Sequence, residues 1–147
     1  MIRPLLINNI GALLILASCS SPVPNGQNAE LEPTEFSIDR STPEAVLRSI
    51  IGAIKADRLA SLKDLCEPNG QCDVACHTMC NIATDDMGHI DKFKRWFAQA
   101  EQTAPVTFAG DSAFLHLKLD PNGNSRLVDL GLIKQNEEWY LARFKWQ

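Results

Sequence analysis

Four of the five cysteines, Cys66, Cys72, Cys76 and Cys80, crowd into one short stretch, and their spacing limits the chemistry they can support. An even set of thiols this close together forms two disulfides if the chain matures in an oxidising compartment. With Gln71 to Ala83 read as a helix, Cys72, Cys76 and Cys80 share one face, and Cys72 lies about 12 Å from Cys80 along the axis. A bridge needs α-carbons within about 7 Å. Two connectivities remain open: Cys66 with Cys72 and Cys76 with Cys80, or Cys66 with Cys80 and Cys72 with Cys76. Each bridge contributes about 2–4 kcal/mol to a polar segment that buries little. The rival is a metal site, in which reduced Cys72, Cys76, Cys80 and His77, joined by Met79, Met87 or His89, hold zinc or copper(I) through soft ligands. Structural zinc sites repeat ligand pairs two residues apart, which this spacing lacks. A thiol redox role lacks the Cys-x-x-Cys pair that lowers a thiol pKa. Disulfides are therefore expected, with no metal or other cofactor, and His77 and His89 as exposed polar residues.

Two disulfides require export, and the first residues carry a pattern for it. Arg3 precedes an apolar run from Ile10 to Leu16, followed by small residues and Cys19, as in a signal peptide. A bilayer-spanning helix needs about 20 apolar residues, and Asn8 and Asn9 stop this run from extending backwards. Leu16, Ala17, Ser18 and Cys19 resemble the lipobox of bacterial lipoproteins. That resemblance implies removal of residues 1–18 and acylation of Cys19, whose chains would anchor the protein through about 0.8 kcal/mol per buried methylene. Ser20 stands where an aspartate tends to retain lipoproteins at the inner membrane, so the resemblance implies an outer membrane facing the periplasm. Residues 19–36, with Pro22, Pro24, Gly26 and Pro33, hold too little apolar content to pack and read as a tether.

The remaining stretch, 37–147, reads as one domain with room for a single modest core. The formal charge of the whole chain is −4, and losing Arg3 with residues 1–18 leaves −5. Phosphate backbones need concentrated positive charge, so nucleic acid is not an expected partner.

Ser41 can cap a helix, Pro43 fits its first turn, and Glu44 falls three residues after Ser41 as a capping box requires. Val46, Leu47, Ile50, Ile51 and Ile54 carry helical spacing to about Ala56. Asp57 is placed to cap a second helix from Arg58 to about Cys66, with Leu59, Leu62 and Leu65 apolar, before Pro68-Asn69-Gly70 ends it. A third helix is predicted from Ile90 to Ala100, with Ile90, Phe93, Phe97 and Ala100 on one side and Trp96 beside them. Strands follow: 106–109, 113–119 with alternating Ala113, Leu115, Leu117 and Leu119, then 126–134 and 138–145. Helices first and strands after predict an α+β domain, with helices on one face of a four-stranded antiparallel sheet.

This order resembles the nuclear transport factor 2-like, or cystatin-like, domains of small bacterial lipoproteins. The matching residues are Thr42-Pro43-Glu44, Lys55-Ala56-Asp57, the hairpin Ala109-Gly110-Asp111-Ser112-Ala113 and Glu138-Trp139-Tyr140-Leu141. The resemblance spans residues 40 to 145 and implies a sheet curved into a cone around the helices. The stretch from Cys66 to Ile90 departs from that pattern as a cysteine-rich insertion. Relatives use the cone for catalysis, for a ligand, or for neither, so the fold decides no function. A proton-moving site of this fold needs an inward carboxylate with a Tyr opposite. The candidates are Asp129 and Tyr140, with His116 mid-strand, but strand alternation sends Asp129 and His116 to solvent, and catalysis is not expected. A pocket for a small apolar molecule or an envelope protein is the preferred reading, drawn from Phe93, Trp96, Phe97, Tyr140 and Asp129. The whole then reads as a membrane-anchored envelope lipoprotein with a binding or scaffolding domain, its alternatives being a small cone enzyme and metal binding through the Cys/His segment.

Overall fold

The computed structural model describes residues 36–120 and 123–147. The signal segment 1–18, the lipidation site Cys19 and the tether up to residue 35 lie outside the described residues.

Helix α1 is Pro43–Lys55, and its apolar stripe of Val46, Leu47, Ile50, Ala53 and Ile54 is buried. Its cap is Thr42, not Ser41: the Thr42 hydroxyl accepts from the Ala45 N–H at 3.1 Å, while the Ser41 N–H donates to Asp39 Oδ1. Glu44 thus sits in the first turn, where its charge favours the helix dipole. Asp57 does not cap a second helix. Its φ is +54°, and its carboxylate pairs with Lys94 Nζ at 2.7 Å. The segment Leu59–Leu65 is a 3-10 helix. Leu59, Leu62 and Leu65 recur every third residue, which places them in line at three residues per turn, and all three are buried.

Helix α2, Val74–Cys80, is shorter than the predicted 71–83 and is followed by a 3-10 turn, Ile82–Thr84. Asp73 causes the difference, because its side chain accepts from the Cys76 N–H at 2.7 Å and starts the helix there. Helix α3, Met87–Phe97, begins and ends three residues before expectation, since Asp86 caps it through the His89 N–H.

The sheet runs β1 (Glu101–Gln102), β2 (Thr107–Ala109), β3 (Ser112–Leu119), β4 (Arg126–Gln135) and β5 (Glu138–Trp146), all antiparallel. Both β1 and β2 pair with β3, at Glu101↔Lys118 and Thr107↔Phe114. The expected first strand, 106–109, is β2; β1 was not predicted and makes the sheet five-stranded rather than four, the two short pieces sharing one edge with Pro105 between them unable to donate to the ladder. Asn136 and Glu137 both have positive φ, the backbone of a type I′ turn, and close the β4–β5 hairpin. Ala113, Leu115, Leu117, Leu119, Val128, Leu130 and Leu132 face the helices and are buried. The fold is α+β, with helices packed against one face of an antiparallel sheet, as the element order predicts.

The cysteine segment covers the free edge of β5. Cys66 bridges Leu141 in parallel, and the Glu67 N–H donates to the Leu141 carbonyl at 2.9 Å. The Asp73 N–H donates to the Ala142 carbonyl, and Asp73 Oδ2 accepts from the Phe144 N–H at 3.1 Å. An edge strand left bare exposes unpaired amides and carbonyls. The segment read in sequence as a cysteine-rich insertion thus covers this edge of the sheet.

Candidate ligand cleft

The interior between helices and sheet is filled, with Leu115, Leu117, Leu119, Val128 and Leu130 fully buried. The concavity instead opens beyond them, as a cleft of about 520 Å³ between α2, α3 and the last residues of β5. Each wall follows from local sequence. Helix α3 turns Phe93, Trp96 and Phe97 to one side at helical spacing, and only Phe97 is buried deeply enough to be core. On β5, register places Phe144 opposite Leu130 and Trp146 opposite Val128, on the helix-facing side. Helix α2 adds Met79, and the turn after it adds Ile82.

The rings form a continuous chain. Phe93 and Phe97 stand 4.7 Å apart between centroids, Phe97 and Phe144 6.1 Å, and Phe144 meets Trp146 edge to face at 5.1 Å. Trp96 and Trp146 are also edge to face, at 4.6 Å. Such pairs contribute about 0.5–1.5 kcal/mol each beyond burial. Trp146 nonetheless stays 42% exposed, more than a core tryptophan needs to be. Arg126 lies 5.6 Å from the Trp96 ring and 5.9 Å from Trp146, and Lys92 Nζ lies 5.7 Å from Trp96. At the rim, His89 Nδ1 is 3.1 Å from Asp85 and 3.0 Å from Asp86. The Asp85 hydrogen bond and the two nearby negative charges raise the His89 pKa.

Of the residues singled out in sequence, Phe93, Trp96 and Phe97 come together here. Tyr140 and Asp129 do not line the cleft. The Tyr140 hydroxyl donates to Glu138 Oε2 at 2.7 Å under the Arg40 guanidinium, and that bond together with burial raises its pKa. Asp129 Oδ1 lies 2.7 Å from His116 Nδ1 across the β3–β4 pair, and His116 Nε2 lies 3.3 Å from Thr107 Oγ1. His116 and Asp129 alternate with the buried residues of β3 and β4, and Thr107 pairs with Phe114 in the neighbouring strand, so all three occupy the sheet face turned away from the helices. Among the described residues the one deeply buried acid is Glu67. Burial raises its pKa, but hydrogen bonds from the Gln71 and Asn69 N–H groups and from Gln135 Nε2 outweigh that and hold it low. It is tied into its loop as an anion. An inward acid facing a free hydroxyl is not assembled among the described residues. Met79, Ile82, Lys92 and Arg126 were missed in sequence as cleft residues; the register of β5 against β4 is what turns Phe144 and Trp146 to this side.

Cys66 and Cys80 form a disulfide with α-carbons 6.2 Å apart, while Cys72 and Cys76 are thiols. This bridge belongs to one of the two connectivities the spacing left open, but its companion, Cys72 with Cys76, is not formed, so one of the two expected disulfides is present. The helical premise used to separate Cys72 from Cys80 does not hold, because Cys72 precedes the Asp73 cap and the sulfurs of Cys72, Cys76 and Cys80 lie within 4.8 Å of one another. With Cys80 bonded to Cys66, that group offers a metal two thiols. His77 is exposed, with Nε2 3.4 Å from Asn81 Nδ2. Burial raises the pKa of both Cys72 and Cys76, so neither is a ready nucleophile. The cleft and the disulfide share a structural element, since α2 is both a cleft wall and the helix that the bridge anchors.

No family model matches this chain, and no curated protein matches it. Among solved structures the chain is similar to a protein named Rd1NTF2_05, in a form carrying five substitutions, at 15% identity over 71% of this chain and 95% of that one, with a TM-score of 0.47. Nothing about ligand or chemistry follows from a similarity of that degree.

Proposed function

We propose that the chain is a membrane-anchored lipoprotein of the cell envelope whose nuclear transport factor 2-like domain binds a small ligand in the aromatic cleft. The observation that carries the binding role is the cleft itself. Its volume of about 520 Å³ falls within the usual range for small-molecule sites, and Trp146 in its wall stays 42% exposed while Leu115, Leu117, Leu119 and Leu130 behind it are fully buried. The signal pattern and Cys19 support the anchor. Tryptophan emission tests the binding role, since two of the three tryptophans line the cleft: a saturable change with apolar molecules that disappears in Trp96→Ala is expected, and an unresponsive protein would refute it. For the anchor, palmitate labelling and membrane partitioning are expected to vanish together in Cys19→Ser.

Maturation in such a compartment would also oxidise the remaining pair. We propose a second bridge between Cys72 and Cys76, each sulfur losing one proton and one electron to a disulfide-carrying oxidoreductase that is itself reduced to a dithiol. Intact mass then shows one hydrogen missing for each of the four clustered cysteines, and alkylation finds no free thiol among them. Two alkylated cysteines in protein from the native envelope would rule the second bridge out.

A further inference from the structure

We infer that the cleft selects an apolar chain ending in a carboxylate, a ligand of the fatty-acid kind, with Arg126 and Lys92 receiving the anionic end. This rests on the reading of the cleft as a ligand site and adds the chemistry of what fills it.

The chain as a whole carries −4, yet the cleft is bordered by two cations. Lys94, Lys134 and Arg40 each have a carboxylate partner at 3.0 Å or less. Lys92 and Arg126, like several other surface cations, have none within 4.0 Å among the described residues; what sets these two apart is that both rest against the ring of Trp96. The acid nearest the rim, Asp85, is already engaged by His89 Nδ1 and the Asp86 N–H. A cationic ligand entering between Trp96 and Trp146 would find those ring faces taken by like charges. A neutral one would leave both cations without a counter-ion. An anion gains two charge-assisted contacts without displacing either side chain from its ring.

The shape of the walls then chooses the apolar part. Every neighbouring ring pair along the cleft is in mutual contact and tilted or perpendicular, with interplanar angles from 33° to 89°. No parallel gap exists into which a flat ring could slide. Met79 and Ile82 make the other wall irregular and aliphatic, and methionine adapts to flexible chains. An acyl chain can follow such a surface with its polar end left at the Arg126 and Lys92 rim.

The experiment is a titration of the full chain carrying Cys19→Ser, which removes any acyl group of its own. The probes are dodecanoate, dodecanol and dodecyltrimethylammonium below their aggregation limits, read by tryptophan emission. Dodecanoate is expected to bind about tenfold more tightly than the ammonium, the difference two partly exposed charge contacts make. Lys92→Gln with Arg126→Gln is expected to weaken dodecanoate about tenfold and leave dodecanol unchanged, with near-ultraviolet circular dichroism reporting the fold. If the ammonium binds as well as dodecanoate, or the double variant affects all three probes alike, the charge selection is overturned while the ligand site stands. If none of the probes binds, both fall. Self-association that Trp96→Ala abolishes and dodecanoate does not compete with would assign the cleft to a second copy and overturn the fatty-acid reading.

Discussion

The layer of α1 against β3, β4 and β5 and the segment from Cys66 to Thr84 are held by different physics. In the first, every second strand residue and every third or fourth helix residue enters the core, and apolar burial at about 25 cal/mol per Å² suffices. The second has Cys76, Met79, Cys80 and Ile82 as its only buried apolar residues, too little apolar surface to order its chain. It is fixed instead by the Cys66–Cys80 bridge, the Asp73 cap, the buried Glu67 anion and its hydrogen bonds to the β5 edge. The cleft lies where the two regions meet, so one wall answers to packing and the other to constraints that chemistry can remove.

The sharpest test of that contrast is a cavity in the packed layer. Leu130 is fully buried in β4, and Leu130→Ala is expected to cost about 3–5 kcal/mol, a large share of what a domain this size holds. Chemical denaturation would register it as a lower midpoint in which sheet and cysteine segment unfold together. Removing the bridge with Cys66→Ala and Cys80→Ala comes next. The two cysteines are 14 residues apart, and a loop of about that length corresponds to roughly 3 kcal/mol. Here the loss should be local: hydrogen exchange is expected to accelerate at the Glu67 and Asp73 amides while those of β3 and β4 stay protected. Equal acceleration in β3 and β4 would show that the two regions are one cooperative unit, and the contrast would be lost.

The same division explains what could be read before the structure. Strands β3, β4 and β5 were legible nearly to the residue because leucine alternation has only one face to bury. Helix α1 was legible except for its cap, since Ser41 and Thr42 are both good capping residues and one backbone angle decides between them. The segment 59–65 was misjudged in type because a three-residue leucine repeat fits an α-helix on paper and a 3-10 helix in space. The cysteine segment was legible as a constrained loop, but its pairing depended on where α2 begins. Asp73 set that start, one residue beyond Cys72. At the site, Phe93, Trp96 and Phe97 were found because they share a helix face. Lys92 and Arg126 were not, because a cation on α3 and one on β4 meet over the Trp96 ring only in the tertiary structure.

A smaller effect is expected from Glu67, the anion that ties the cysteine segment to the β4–β5 hairpin through Gln135. Glu67→Gln keeps the shape but sets an amide against donors, and should cost about 1–3 kcal/mol. Its folded pKa lies below the ordinary 4.5, so this contribution is present above that value and is lost as pH falls through the folded pKa. A wild-type acid transition that survives unchanged in the variant would show that Glu67 does not carry it.

The smallest expected effect sits at the cleft rim and separates charge from packing there. His89 is held toward its protonated form, first by its hydrogen bond to Asp85 and then by the charges of Asp86 and Asp85. Its folded pKa therefore lies above the ordinary 6.5, and whatever stability the protonated ring adds is fully present below about pH 6.5 and fades as pH rises through the folded value. Asp85, lowered from 3.8 chiefly by the same hydrogen bond, adds the opposite limb: its share is present above that value and disappears as pH falls through the folded pKa. Both groups are open to solvent, so added salt should compress the shift. A proton NMR titration is expected to place the His89 midpoint above 6.5, and Asp85→Asn should bring it down toward that value. A midpoint that Asp85→Asn leaves in place would mean the rim is organised by the packing of α3 alone.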